Sequence, residues 1–144
     1  MLTHKVFLTQ TDTTIGFVSQ DAQRLTQIKQ RPSHKHYITA VNSHKTLRQL
    51  TRIPAIHRNR VRRSKTTTFI MPNGRSYRLI RDKHHLLLLH RLKWAYTTSA
   101  NLSGSKYDET FAKRSADVII MPLRSTKQAS QIYKLGKTTC QRRR

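Results

Sequence analysis

A chain of 144 residues is the length of one domain, and with 35% apolar residues it can bury a two-layer core. Lys and Arg number 29 against 6 Asp and Glu, a formal net charge of +23 that repels cations and gathers polyanions by releasing their counterions. The six acids, Asp12, Asp21, Asp82, Asp108, Glu109 and Asp117, are scattered, which argues against a general acid–base carboxylate pair or a carboxylate metal cage. Nucleotides, RNA and acidic surfaces are the default ligands, although the same charge also suits a merely solvated basic surface.

In chain order, "KVFLTQ" (Lys5 to Gln10) reads as a strand that leads into a polar loop, "TDTTIG". Ala22, Leu25 and Ile28 then recur at helical spacing, with Ser19 or Asp21 available as a cap. "YITAVN" (Tyr37 to Asn42) reads as a strand. "SHKTLRQLTRI" reads as a helix capped by Ser43, with Leu47, Leu50 and Ile53 on one face and Pro54 ending it. "HRNRVRRSK" (His57 to Lys65) has only Val61 to bury and reads as an exposed loop. "TTTFIM" and "RSYRLIR" flank Pro72-Asn73-Gly74, a hairpin signal. "HHLLLLHRLKW" (His84 to Trp94) reads as a buried helix, "AYTTSA" as a strand, and "DETFAKRSA" as a helix capped at Asp108. "DVIIMP" (Asp117 to Pro122) and "SQIYKL" (Ser130 to Leu135) complete the strands, followed by a basic tail over 135–144. Strands alternating with helices predict a single α/β domain, 1–144, on a twisted mixed sheet.

Cys140 has no partner for an intrachain disulfide, which fits a reducing cytosol. No apolar run approaches the roughly 18 residues of a membrane span, and the N-terminus lacks the apolar core of a signal peptide. A cytoplasmic protein without membrane partners is therefore expected. The pairs His34/His36 and His84/His85 lack cysteine or a placed acid, so no metal site is expected. Ser99 and Ser103 sit in no G-x-S-x-G elbow, and neither G-x-x-x-x-G-K-[ST] nor G-x-G-x-x-G is present.

Three polar segments next to strands remain. "TDTTIG" offers hydroxyls, a carboxylate and a glycine that lets backbone approach a ligand. "KQRP" (Lys29 to Pro32) sets two cations where a phosphate or carboxylate can meet both, Arg by a fork and Lys as a point charge. "TSANLSG" (Thr98 to Gly104) supplies neutral donors and acceptors.

In this order, Thr11-Asp12-Thr13 with Gly16, Lys29-Gln30-Arg31-Pro32 and Thr98 to Gly104 resemble the hallmarks of the YrdC/Sua5 family, the threonylcarbamoyl-AMP synthases. "TTTFIM", Arg78 in "SYRLIRD" and Ser130 in "ASQIYKL" extend the resemblance from Val6 to about Leu135. It implies a YrdC-like twisted mixed β-sheet with flanking helices around a concave basic cavity. The implied reaction joins L-threonine, bicarbonate and ATP, with Mg²⁺ accompanying the ATP, into threonylcarbamoyl-adenylate and diphosphate. That product serves a downstream threonylcarbamoyl transferase complex that modifies tRNA. The resemblance assigns Lys29 and Arg31 to phosphates, Ser99 and Asn101 to nucleotide and intermediate oxygens, and Ser130 to the nucleotide. Lys29, Arg31, Ser99 and Asn101 form the implied catalytic set; Arg78 would hold the threonine carboxylate, and Thr11 and Thr13 the rest of that substrate.

The chain departs from the family pattern at Gln10, Ile15, Ile80 and Gln131, and only Met1 to Lys5 precede the first strand, where the family has a helix. A minimal, YrdC-only form is implied. The alternative is an RNA- or tRNA-binding protein of the same fold without synthase activity, its contacts carried by Arg58, Arg60, Arg62, Arg63 and Lys65.

Overall fold

The computed structural model describes residues 2–123 and 129–144. The first strand, β1 (Phe7–Gln10), turns at Thr11–Thr14 and pairs antiparallel with β2 (Ile15–Ser19). The sequence predicts that the polar loop runs straight into a helix, but β2 lies between them. Ile15, Phe17 and Val18 are buried on both faces of the sheet, so β2 lacks the in–out alternation that marks a half-exposed strand.

Gly16 is needed where β2 lies against its neighbour. A Cβ there would sit 2.8 Å from the Thr98 carbonyl oxygen and 3.1 Å from Thr11 Cγ2. Gly16→Ala is therefore expected to destabilise the chain by roughly 1–3 kcal/mol through overpacking. A denaturant midpoint equal to wild type would refute this.

Helix α1 (Ala22–Lys29) starts at Asp21, whose carboxylate accepts the Arg24 N–H at 3.2 Å. Ser19, the other candidate cap, instead accepts the Asp21 N–H. Strand β3 (Ile38–Val41) and α2 (His44–Leu50), capped by Ser43, follow. The helix stops short of the expected Ile53: Thr51 is extended, Leu50 is exposed, and Ile53 reaches the core from beyond the helix end.

The segment His57 to Lys65, expected as a loop, forms a 3₁₀ turn (Ala55–His57) and a short helix, α3 (Arg58–Arg62). Val61 docks it in the core and His57 is buried against Gly136 O, too few apolar anchors for a periodic signal in the sequence. Strands β4 (Thr67–Ile70) and β5 (Ser76–Leu79) form the expected hairpin, with Gly74 at φ +84°.

Helix α4 (Lys83–Leu92) is capped by Asp82; it ends two residues before Trp94, which opens β6 (Trp94–Ser99). Helix α5 (Glu109–Ser115) starts at Asp108 as expected, and β7 (Val118–Ile119) is shorter than the expected 117–122. Strand β8 (Gln131–Leu135) then pairs with β9 (Cys140–Arg142). The expected basic tail thus folds back as an edge strand of the sheet.

Among the described residues the strands form one mixed sheet in the order β7-β1-β2-β6-β3-β5-β4-β8-β9. Side chains alternate between its faces. On one face α1 and α5 cover Leu8, Phe17 and Tyr37, while α2 and α3 cover Val41, Tyr77 and Phe69. On the other, α4 lays Leu88, Leu89 and Leu92 over Phe7, Val18, Ala40 and Ala95. No helix is long and apolar enough to cross a membrane among the described residues.

Candidate active site

The face that carries α4 also carries a cavity of about 230 Å³ lined by Thr13, Arg31, Arg78, Thr97, Ser99, Ser130 and Arg144, among others. A second depression of about 390 Å³ continues from it, sharing Ser130 and Arg144 and adding Asp12, Lys65 and Arg142. Residues far apart in sequence converge here because β6, β3, β5, β4 and β8 are successive neighbours in the sheet.

Lys29, the last residue of α1, is only 3% exposed. Its Nζ donates to the carbonyl oxygens of Ser99 at 2.8 Å and Asn101 at 2.7 Å, and reaches Asn101 Oδ1 at 3.4 Å. These contacts occupy all three ammonium donors. Lys29 is thereby a clasp on the loop after β6. Burial, then the nearby Arg31 charge, lowers its pKa from 10.5 to about 8. The Ser99 hydroxyl donates to Asn101 Oδ1 at 2.5 Å, and Asn101 Nδ2 donates to Leu102 O and Ser105 O. The "SAN" stretch is thus a rigid corner whose Ser99 side faces the cavity.

Arg31 donates to the His36 carbonyl at 2.8 Å, and its guanidinium carbon lies 4.6 Å from the centroid of the Tyr37 ring. Arg78 is buried beside Asp12, with Nε to Oδ1 at 3.5 Å. Burial pulls the guanidinium below its ordinary pKa; Asp12 opposes that pull and Arg144 adds to it. Ser130 Oγ meets Thr68 Oγ1 at 2.8 Å.

Thr13 lines the cavity, whereas Thr11 is spent on the turn. Its Oγ1 donates to Thr14 O at 2.5 Å and accepts the N–H groups of Thr13 and Thr14. The departures from the family pattern have distinct placements. Ile15 packs into the core on the far face, Ile80 packs under α4, and Gln131 is exposed.

Arg144 is a cavity residue that no motif in the sequence marks. Its Nε donates to Ser130 O at 2.8 Å and its Nη2 to Ser130 Oγ at 3.3 Å, which brings a third guanidinium to the cavity. The run "RRR" carries no signal for this, because the placement depends on β9 pairing with β8.

The residues proposed for RNA divide. Arg58, Arg60, Arg62 and Arg63 are exposed on and just after α3, and Arg58 flanks a groove with His44, Arg48 and Arg52. Lys65 belongs to the outer depression beside the cavity. Among the described residues, no group of three or more His, Cys, Asp or Glu could hold a metal ion.

A single mixed sheet with helices on both faces and this basic concavity is a YrdC/Sua5-like fold. Sua5 of P. abyssi, as a double alanine variant, superposes with a TM-score of 0.78 at 16% identity, covering 94% of this chain and 51% of that one. Sua5 of P. abyssi complexed with L-threonine gives 0.75 at 18% identity, covering 94% and 48%. E. coli YciO gives 0.77 at 18% identity, covering 98% and 82%. In sequence, the uncharacterized MG259 homolog of Mycoplasma pneumoniae is 31% identical over 142 residues, covering 87% of this chain. The chain spans about half the length of the Sua5 structures and 29% of the mycoplasma protein. No protein-family model matches it.

Proposed function

We propose that the chain is an L-threonylcarbamoyladenylate synthase. The observation that carries this reading is the convergence of Arg31, Arg78 and Arg144 with Ser99 and Ser130 on one cavity of a YrdC/Sua5-like fold. That one such fold, P. abyssi Sua5, is known in complex with L-threonine supports threonine as the amino acid.

The chemistry needs no protein nucleophile. Bicarbonate, dehydrated, and the threonine amine give a carbamate and water; a carbamate oxygen then attacks the α-phosphorus of ATP and diphosphate leaves. The demands are alignment and neutralisation of phosphate charge. In this reading Arg31 and Arg144 meet the phosphates, and Lys29 holds the Ser99–Asn101 corner against them. Ser99 and Ser130 orient nucleotide oxygens, Arg78 takes the threonine carboxylate, and Thr13 sits at the substrate threonine. Mg²⁺ enters with ATP as part of the substrate, and the product passes to a threonylcarbamoyl transferase complex acting on tRNA.

The test is diphosphate release from the purified chain with ATP and bicarbonate, with and without L-threonine, and with L-serine as control. Threonine-dependent release is the expected result; its absence from folded protein would sink the reading. The second reading, RNA binding without synthesis, is favoured by the exposed arginines of α3. Replacing Arg60, Arg62 and Arg63 with Gln is expected to weaken tRNA binding and flatten its salt dependence while sparing diphosphate release. Loss of release with unchanged tRNA binding would reverse the two assignments.

A further inference from the structure

The groove flanked by Arg58 lies on the sheet face that α2 and α3 cover, away from the cavity. It is a depression of about 440 Å³ between α2, the 51–53 segment and the start of α3, a volume within the range of small-molecule sites. Arg48, Arg52 and Arg58 line it together with His44. The arginines are exposed and make no ion pair among the described residues. No carboxylate lines the groove, and residues 22–81 contain no Asp or Glu, so the local sequence supplies no counter-charge.

His44 adds a second observation. Its Nε2 is buried and has no hydrogen-bond partner among the described residues. Burial, then Arg48, Arg62 and Arg58, lowers its pKa from the ordinary 6.5. An orphaned buried polar atom beside unpaired guanidiniums is an arrangement that an anion completes, because it accepts from the donors and relieves the repulsion among them.

What the groove has and lacks narrows the anion. Guanidiniums gathered on one depression suit a compact, multiply charged phosphate, whereas a nucleic-acid backbone spreads single charges along a strand. No aromatic side chain lines the groove for a base to stack on. Leu50 and Ile53 supply an apolar wall, and Gln49 and Thr51 neutral hydrogen-bonding groups, so an organic body fits beside the phosphate.

We propose that this groove binds a terminal phosphate or diphosphate group, free or carried by a small molecule, held by Arg48, Arg52 and Arg58 with His44 as a further donor. The site is separate from the cavity and requires no synthase activity.

Diphosphate also suits the cavity, so the experiment reads His44 itself. Its imidazole resonances are identified by their loss in His44→Gln, and its protonation midpoint is followed by nuclear magnetic resonance. The probes are inorganic diphosphate, phenyl phosphate, and sodium chloride at matched ionic strength. Both phosphate probes are expected to raise the midpoint, and sodium chloride to move it less. A lower half-saturating concentration for phenyl phosphate assigns the site to a phosphorylated organic ligand; a lower one for diphosphate assigns it to the free anion. Arg48→Gln/Arg52→Gln alters only exposed side chains and should raise the diphosphate concentration needed by roughly tenfold or more. Arg31→Gln, at the cavity, should leave the His44 response unchanged. An RNA of about ten nucleotides, at equal phosphate concentration, should move His44 less. If sodium chloride shifts His44 as far as diphosphate does, if the RNA shifts it further, or if Arg48→Gln/Arg52→Gln responds like wild type, the inference is wrong.

Discussion

Lys29→Ala is expected to lower threonine-dependent diphosphate release by about 10²-fold, the scale of cost that misplacing a positioned group by about 1 Å brings, with the far-ultraviolet circular dichroism unchanged. The ammonium stands between α1 and the corner after β6, bonded to Ser99 O and Asn101 O. Without it, two inward carbonyls repel each other and approaching phosphate, and Ser99 loses its fixed direction. The pH profile adds a check that a structural role alone would not pass. Burial sets the Lys29 pKa at about 8, so wild-type turnover should fall as pH rises through 8 and the ammonium loses a donor. The stability contribution has the opposite sign. The folded pKa lies below the free value, so folding releases a proton between about 8 and 10.5 and the Lys29 term favours folding increasingly across that window. Near-normal release in Lys29→Ala, or an alkaline limb that survives in it at reduced rate, would contradict this role.

Acidification is expected to produce the second large effect, through His85. This residue of α4 is 1% exposed, and neither ring nitrogen has a hydrogen-bond partner among the described residues. Burial first, then the charge of Arg78, holds its pKa down at about 3, with Asp82 opposing and His84 assisting. The unfolded chain protonates near 6.5, so stability is fully present above that pH and drains as pH falls from 6.5 toward 3. The loss is on the order of 5 kcal/mol, comparable with the whole stability of many domains. His85→Leu should remove most of this dependence and cost little at neutral pH, because it deletes a polar group that makes no bond. His44, whose pKa is lowered by burial and by Arg48, Arg62 and Arg58, and Asp117, whose carboxyl is held down by its hydrogen bond from Arg24, remain in both proteins and contribute to the residual slope. Urea midpoints at pH 7 and pH 4 decide the matter. If His85→Leu loses as much stability as wild type on acidification, burial of the imidazole is not the cause.

Elements with a strong local signal were legible in the sequence. Asp21, Ser43 and Asp108 cap the helices that the sequence offers them for, and Asn73-Gly74 makes the hairpin. Elements that exist because of their neighbours were not. β2 is buried on both faces, α3 is held by Val61, and β9 pairs only once β8 is in place. The site divides in the same way. Lys29, Arg31 and Ser99 carry motif spacing, but that spacing does not reveal that Lys29 is bonded to main chain or that Thr11 is consumed by its own turn. Arg144 was silent because its position is decided by strand pairing alone.

The outer ladders of the sheet have a kinetic consequence. β7 closes onto β1 with Val118 beside Phe7, and β8 joins β4 with Ile132 beside Thr68, so both need segments made late in synthesis. Such distant pairings carry a large loop-closure cost before they return any stability, and they slow folding. A nascent chain can complete the β1–β2 and β4–β5 hairpins early, yet its cavity stays open on the Ser130 and Arg144 side until β8 and β9 arrive. If the cavity takes a nucleotide as proposed, time-resolved refolding should show nucleotide binding lagging behind secondary structure.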